Sequence, residues 1–153
     1  MATGNGESTE ARKRWMSVLA QASAAELEAA WESLPNKPEY ARVRGPEVGL
    51  VMVRGRAGGT GVRFNLGEMT VTRCTVLVAG RATGHAYVGG RSLRHAELAA
   101  VFDALLQDLA WHGRLDSSLV TPLETLQRER RRALAARSAP TRVEFFTVVR
   151  GED

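Results

Sequence analysis

The sequence holds a single cysteine, Cys74, in 153 residues. No intrachain disulfide framework can form, and at most one thiolate is on offer to a metal. Lysine is nearly missing as well: of 21 basic residues only Lys13 and Lys37 are lysines, so the rest are arginines. No apolar run approaches the ~20 residues that a helical membrane span requires. The N-terminus carries Glu7 and Glu10 and no apolar core of a secretory signal, which predicts a cytoplasmic protein. Internal repeats and low-complexity linkers are absent too, and the expectation is one domain over residues 1–153, with the small, polar residues 1–7 disordered.

What is present describes an ordinary globular chain, 44% hydrophobic and 25% charged. A domain of this size buries about 68–70% of the surface its unfolded form exposes, enough for a core without staples. The net charge of +4 is carried by arginine, the residue suited to bidentate pairing with carboxylate or phosphate. Either a GC-rich coding sequence or an anionic ligand or acidic partner accounts for that bias.

Helical periodicity starts at Ser8, with Trp15, Leu19 and Ala22 on one face. Ser23 and Glu26 form a capping box for a second short stripe of Leu27, Ala30, Trp31 and Leu34, stopped before Pro35. Tyr40–Arg44 reads as a first strand and Gly45-Pro46 as a break. The run Val48–Val53 is apolar on both sides, as in strands covered on both faces. Val62–Leu66, Met69–Val78 and His85–Val88 follow across short glycine turns, so an antiparallel meander is expected. Ser92 is a candidate cap for one long helix carrying Leu98, Phe102, Leu105 and Leu109 up to Gly113. Thr121, Pro122 and Glu124 mark another helix start, with Leu123, Leu126, Ala133 and Leu134 on one side and Arg130 within that stripe. Arg142–Arg150 reads as a last strand in which Phe145 and Phe146 point oppositely and both need cover. The fold class is therefore α+β: an antiparallel sheet with helices packed on it.

The densest stretch of special residues is Gly55–Arg73, with glycines at 55, 58, 59, 61 and 67 and arginines at 56, 63 and 73. Gly58-Gly59-Thr60-Gly61 is either a hairpin turn or a nest for an anion. It matches neither the phosphate-binding loop nor the dinucleotide fingerprint, since a strand follows where both need a helix. Arg91 and His95, where a strand gives way to a helix N-terminus, are weak catalytic or anion-binding candidates; for His95 a packed, hydrogen-bonded histidine is the plainer alternative. Cys74, His85 and His95 have no zinc-like spacing, and no metal site is expected. Neither a nucleophile–base set nor a nucleic-acid motif can be assembled.

Four segments, in order along nearly the whole chain, resemble the G-subunit family of the bacterial carbon–phosphorus lyase system, PhnG. They are Arg14–Ala20; Gly49-Leu50-Val51 through Gly58–Gly61 and Arg63-Phe64 to Thr72-Arg73; Gly90-Arg91 with His95-Ala96-Glu97; and Arg142–Gly151. The resemblance implies a cytoplasmic subunit of a complex that degrades alkylphosphonates. In that family the G, H, I and L components together displace adenine from MgATP with a phosphonate, giving a ribose 1-alkylphosphonate 5-triphosphate, and a separate radical subunit later breaks the carbon–phosphorus bond. The family's catalytic residues are thought to lie mainly in the I subunit. By this resemblance the chain is a non-catalytic structural partner, holds no cofactor itself, and assembles above all with I and also with H, J and L, with no nucleic acid or membrane. The partner-facing candidates are then Gly58, Gly59, Gly61, Arg63, Arg73, Phe145, Phe146 and Arg150. The rival reading is a small anion- or nucleotide-binding protein using the glycine hairpin and Arg91.

Overall fold

The computed structural model describes residues 4–80 and 82–138; the expected last strand, with Phe145, Phe146 and Arg150, lies outside them. The helix α1 (Gly4–Gln21) is followed by α2 (Ala24–Glu32), a sheet of β1 (Tyr40–Arg56), β2 (Arg63–Val78) and β3 (Thr83–Gly89), and then α3 (Leu93–Leu106), α4 (Leu109–Leu115) and α5 (Thr121–Ser138). The strands pair antiparallel in the order β1-β2-β3. This is the α+β meander that the alternation predicted, with helix α1 beginning at Gly4 rather than at Ser8.

Ser23 separates the first two helices as its sequence context requires. Its side chain accepts from the Glu26 amide while the Glu26 carboxylate accepts from the Ser23 amide at 2.7 Å. The sheet, by contrast, has fewer and longer strands than expected. Gly45-Pro46 does not break β1: register shifts between Arg42 and Arg44 and between Arg44 and Glu47 absorb it. A proline is tolerated at such a bulge because β1 is an edge strand and loses no ladder bond there. Gly67 likewise lies within β2, beside a third shift between Val53 and Arg54.

Helix α3 is the centre of the molecule, with every residue from His95 to Leu106 buried. One side lies on β3 so closely that a Cβ at Gly84 would stand 1.9 Å from the Ala100 carbonyl oxygen. Alanines at 96, 100 and 104, one turn apart, make that approach geometrically feasible. Phe102 meets Trp31 of α2 edge-on at 6.4 Å, and α1 runs antiparallel along the remaining side, with Leu19 beside His95 and Trp15 beside Asp103. Helix α5 lies along α1 in the same direction, tied by Arg14 to Glu124, Val18 to Gln127 and Gln21 to Arg131.

Two expectations fail between α3 and α5. The helix from Ser92 does not run to Gly113: Asp108 accepts from the Ala110 amide at 2.8 Å and starts α4, as a short carboxylate favours a cap over a helix interior. Leu109, placed on the core face by its spacing, is 93% exposed as a result. Thr121 does not cap a new helix either. A π turn, Asp116–Val120, carries α4 into α5 without a break, its wider turn falling just before Pro122, which has no amide to continue the regular ladder. Leu126 and Leu134 are exposed, and Arg130, set within their stripe by its spacing, reaches Glu26 of α2 at 3.1 Å.

Candidate functional site

The titratable groups nearest the core serve the core. Asp103, fully buried on α3, accepts from Arg12 Nε and Nη2 at 3.2 and 2.8 Å, from Trp15 Nε1 at 2.9 Å and from the His85 amide at 2.9 Å. One carboxylate thus anchors α1 and also satisfies an outer amide of the edge strand β3. Glu97, one helical face away, accepts from Arg42 Nε at 2.7 Å and the Tyr40 hydroxyl at 3.0 Å. Burial pushes its carboxyl up, but these hydrogen bonds and the Arg42 and Arg94 charges outweigh burial and hold it below the ordinary glutamate range. Arg94 in turn grips Glu28 with two bonds of 2.7 and 2.8 Å, and Arg14 spans Asp116 and Glu124. Much of the arginine excess is therefore spent stitching helices together. Among the described residues no buried side-chain nitrogen or oxygen lacks a hydrogen-bond partner, and no group of three metal-ligating side chains occurs.

His95 follows the plainer reading. Its Nε2 lies 2.9 Å from the Leu19 carbonyl, to which it donates, and the ring is buried. The amide of His95 is taken by the Ser92 side chain at 3.3 Å, so the N-terminus of α3 is capped. Arg91 is exposed beside it. Cys74 is buried with its thiol 3.4 Å from the Arg44 carbonyl, and burial together with Glu97 raises its pKa; His85 belongs to the opposite sheet face and sits 3.2 Å from Thr75. Cys74, His85 and His95 are not brought together. A cleft of about 600 Å³ lies between α1 and the α3–α4 junction. Its polar walls are already committed, Arg12 to Asp103 and His112 Nδ1 to the Leu106 carbonyl at 2.8 Å.

The open chemistry is on the ribbon. Strand β3 pairs with β2 only as far as Val71, which faces Gly49 of β1, so residues 50–56 and 63–70 continue as a two-stranded arm. At about 3.3 Å per residue it extends for roughly 25 Å. Its tip is a hairpin, as the glycines predicted: a short 3-10 turn at Ala57–Gly59 with Gly58 at φ 60° and Gly59 at φ 80°, a conformation glycine adopts without strain. The apolar run Val48–Val53, expected under cover on both faces, is instead open: Leu50 is 62% and Met52 51% exposed, with Val48 on the same face. The other face carries Met69, Phe64 and Leu66, whose side chains lie across Gly55 or beside Val51. Arg73 is engaged at 2.6 Å by Glu47, which Arg44 also holds. Arg63 is exposed and stands in register opposite Arg56. Gly58, Gly59 and Gly61 form the tip, while Arg91 follows Gly90, whose amide bonds the Thr70 carbonyl. Seven residues of strand, about 23 Å, separate Arg63 at the tip from that point, so the hairpin and Arg91 do not form one site.

Sequence reasoning missed Arg12, Arg14, Asp103, Glu97 and Gln127 as organising residues. The available signal was Asp103 and Glu97 standing inside an otherwise apolar helix, which obliges each to find partners.

Among the described residues, fold and surface together define an α+β domain with an internally satisfied polar core and a projecting, uncovered arm. The chain belongs to the family described as phosphonate metabolism protein PhnG, which it matches over residues 10–151. It is similar to the alpha-D-ribose 1-methylphosphonate 5-triphosphate synthase subunit PhnG of Rhizobium meliloti (strain 1021), with 48% identity over 142 residues that cover 93% of this chain and 90% of that protein. The family resemblance read from the sequence is borne out. No helix among the described residues is long and apolar enough to cross a membrane.

Proposed function

We propose that the chain is an accessory subunit of the transferase that displaces adenine from MgATP with an alkylphosphonate, giving ribose 1-alkylphosphonate 5-triphosphate, in a cytoplasmic complex. The observation that carries this is the likeness to a named synthase subunit over nearly the full length of both chains. The non-catalytic role is supported by the commitment of Asp103, Glu97 and His95 to internal hydrogen bonds. The bare arm suits a chain that works in an assembly, with the I subunit as chief partner and H, J and L beside it.

Reconstitution tests the proposal. The assembled subunits, given MgATP and methylphosphonate, are assayed for adenine release with and without this chain. Release is expected to depend on it and to survive Arg91→Ala; full turnover without the chain rejects the role. The rival reading, a free-standing anion or nucleotide binder, draws on the exposed Arg91 and the glycine tip, but their separation argues against one shared pocket. Titration of MgATP into the isolated chain is expected to show no tight binding.

A further inference from the structure

The arm is a two-stranded ribbon with apolar side chains on both faces, and such a ribbon is marginal in water without cover. One face offers Leu50 and Met52, with Val48 next to them on the three-stranded part of the sheet; the other offers Phe64, Leu66 and Met69. Each face measures about 25 Å by about 10 Å, the width of two strands. A stable interface takes about 800 Å² from each partner; one face of roughly 250 Å² falls far short of that, so an occupant must cover both faces together with the hairpin tip to approach it. The charge pattern narrows the choice further. Arg54, Arg56 and Arg63 are exposed near the tip and form no ion pair among the described residues, and Arg56 faces Arg63 directly across the ladder. Like charges directly opposite one another destabilise a strand pair, and the arm beyond Thr70 carries only Glu68 against them.

We propose that the arm inserts into a cleft of another subunit of the synthase, a cleft with apolar walls on two sides and carboxylates where the arginines end. The proposal rests on the subunit reading above and names the chemistry of the partner at that surface. A second copy of this chain is a poorer occupant, because each copy brings the same net +4. Residues 142–150 are poorer too, since their terminal Arg142 and Arg150 outnumber Glu144 and add to the unrelieved positive charge. Carboxylates at the tip convert the Arg56–Arg63 repulsion into charge-assisted hydrogen bonds.

The test uses the full chain co-expressed with the other subunits. Leu50 and Phe64, one on each face, are replaced singly by the photoreactive benzoylphenylalanine and irradiated in the assembled complex. Both are expected to cross-link to the same other subunit, in peptides that contain Asp or Glu. Cross-links from one face only, to a second copy, to residues 139–153 of the same chain, or to nothing while the complex is intact each overturn the proposal. Independently, the triple variant Arg54→Glu/Arg56→Glu/Arg63→Glu is expected to bind its partner at least about tenfold more weakly at physiological salt, with circular dichroism and melting midpoint unchanged. Unaltered affinity overturns the charge argument. If the unmodified chain joins no complex, the subunit reading fails and this inference with it. If it assembles and the arm variants are silent, the inference alone fails.

Discussion

The residues with the least tolerance are not those that first draw the eye. Gly84 has no special backbone conformation, yet a methyl there would meet the Ala100 carbonyl oxygen at 1.9 Å and the Ala104 amide at 2.7 Å. Gly84→Ala is expected to cost about 3 kcal/mol or more, because backbone atoms of a buried helix must move, and urea denaturation reads the loss. Asp103→Ala leaves Arg12, Trp15 and the His85 amide without their common acceptor. Removing one partner of such a buried network costs about 3–5 kcal/mol, with α1 detaching first in a native-state proteolysis profile. Glu97 sets a pH dependence whose sign follows from its lowered pKa. Between the folded value and the ordinary value of about 4.3 the unfolded chain binds more protons. Its contribution is therefore complete above that window and vanishes as pH falls through the folded value. The melting midpoint should decline below about pH 4, less steeply in Glu97→Gln; equal slopes in both would remove Glu97 as a source.

At the scale of elements, some caps and turns carried over from sequence to structure and coverage did not. Ser23 with Glu26, Ser92 before α3 and the glycine hairpin are local chemistry: each is decided within four residues, so a one-dimensional reading finds it. Ser23→Ala is expected to lower stability by about 1 kcal/mol for that same local reason, checked by thermal denaturation. The α3–α4 break escaped because Leu98, Phe102, Leu105 and Leu109 keep perfect helical spacing across it, and only the competition of Asp108 for a nearby amide ends the helix. Thr121 and Glu124 mimic a capping box, but a π turn continues the helix through them and Arg14 claims the carboxylate. Val48–Val53 misled in a more general way. An apolar strand reads alike whether its cover is to come from its own chain or from another. Of the candidate site only the glycine hairpin was legible from its own residues, and the polar core was not, because Arg12, Asp103 and Glu97 find partners 55 to 91 positions away.

For the whole molecule, an uncovered arm has consequences in solution. The isolated chain is expected to self-associate with rising concentration and to become monodisperse on co-assembly, as size-exclusion chromatography with light scattering will show; a strictly monomeric chain at all concentrations speaks against open apolar faces. Helix α3, wrapped by the sheet, α1 and α2, supplies a distant gauge of the same event. Its amides between Ala96 and Leu106 have no local route to solvent, so in hydrogen exchange they open only when the entire fold opens. Whatever binds the native chain slows that opening by mass action, by a factor of 1 + [L]/Kd for a ligand L absent from the unfolded state. The buried helix, far from the arm, is thus where the strength of the arm's grip can be measured.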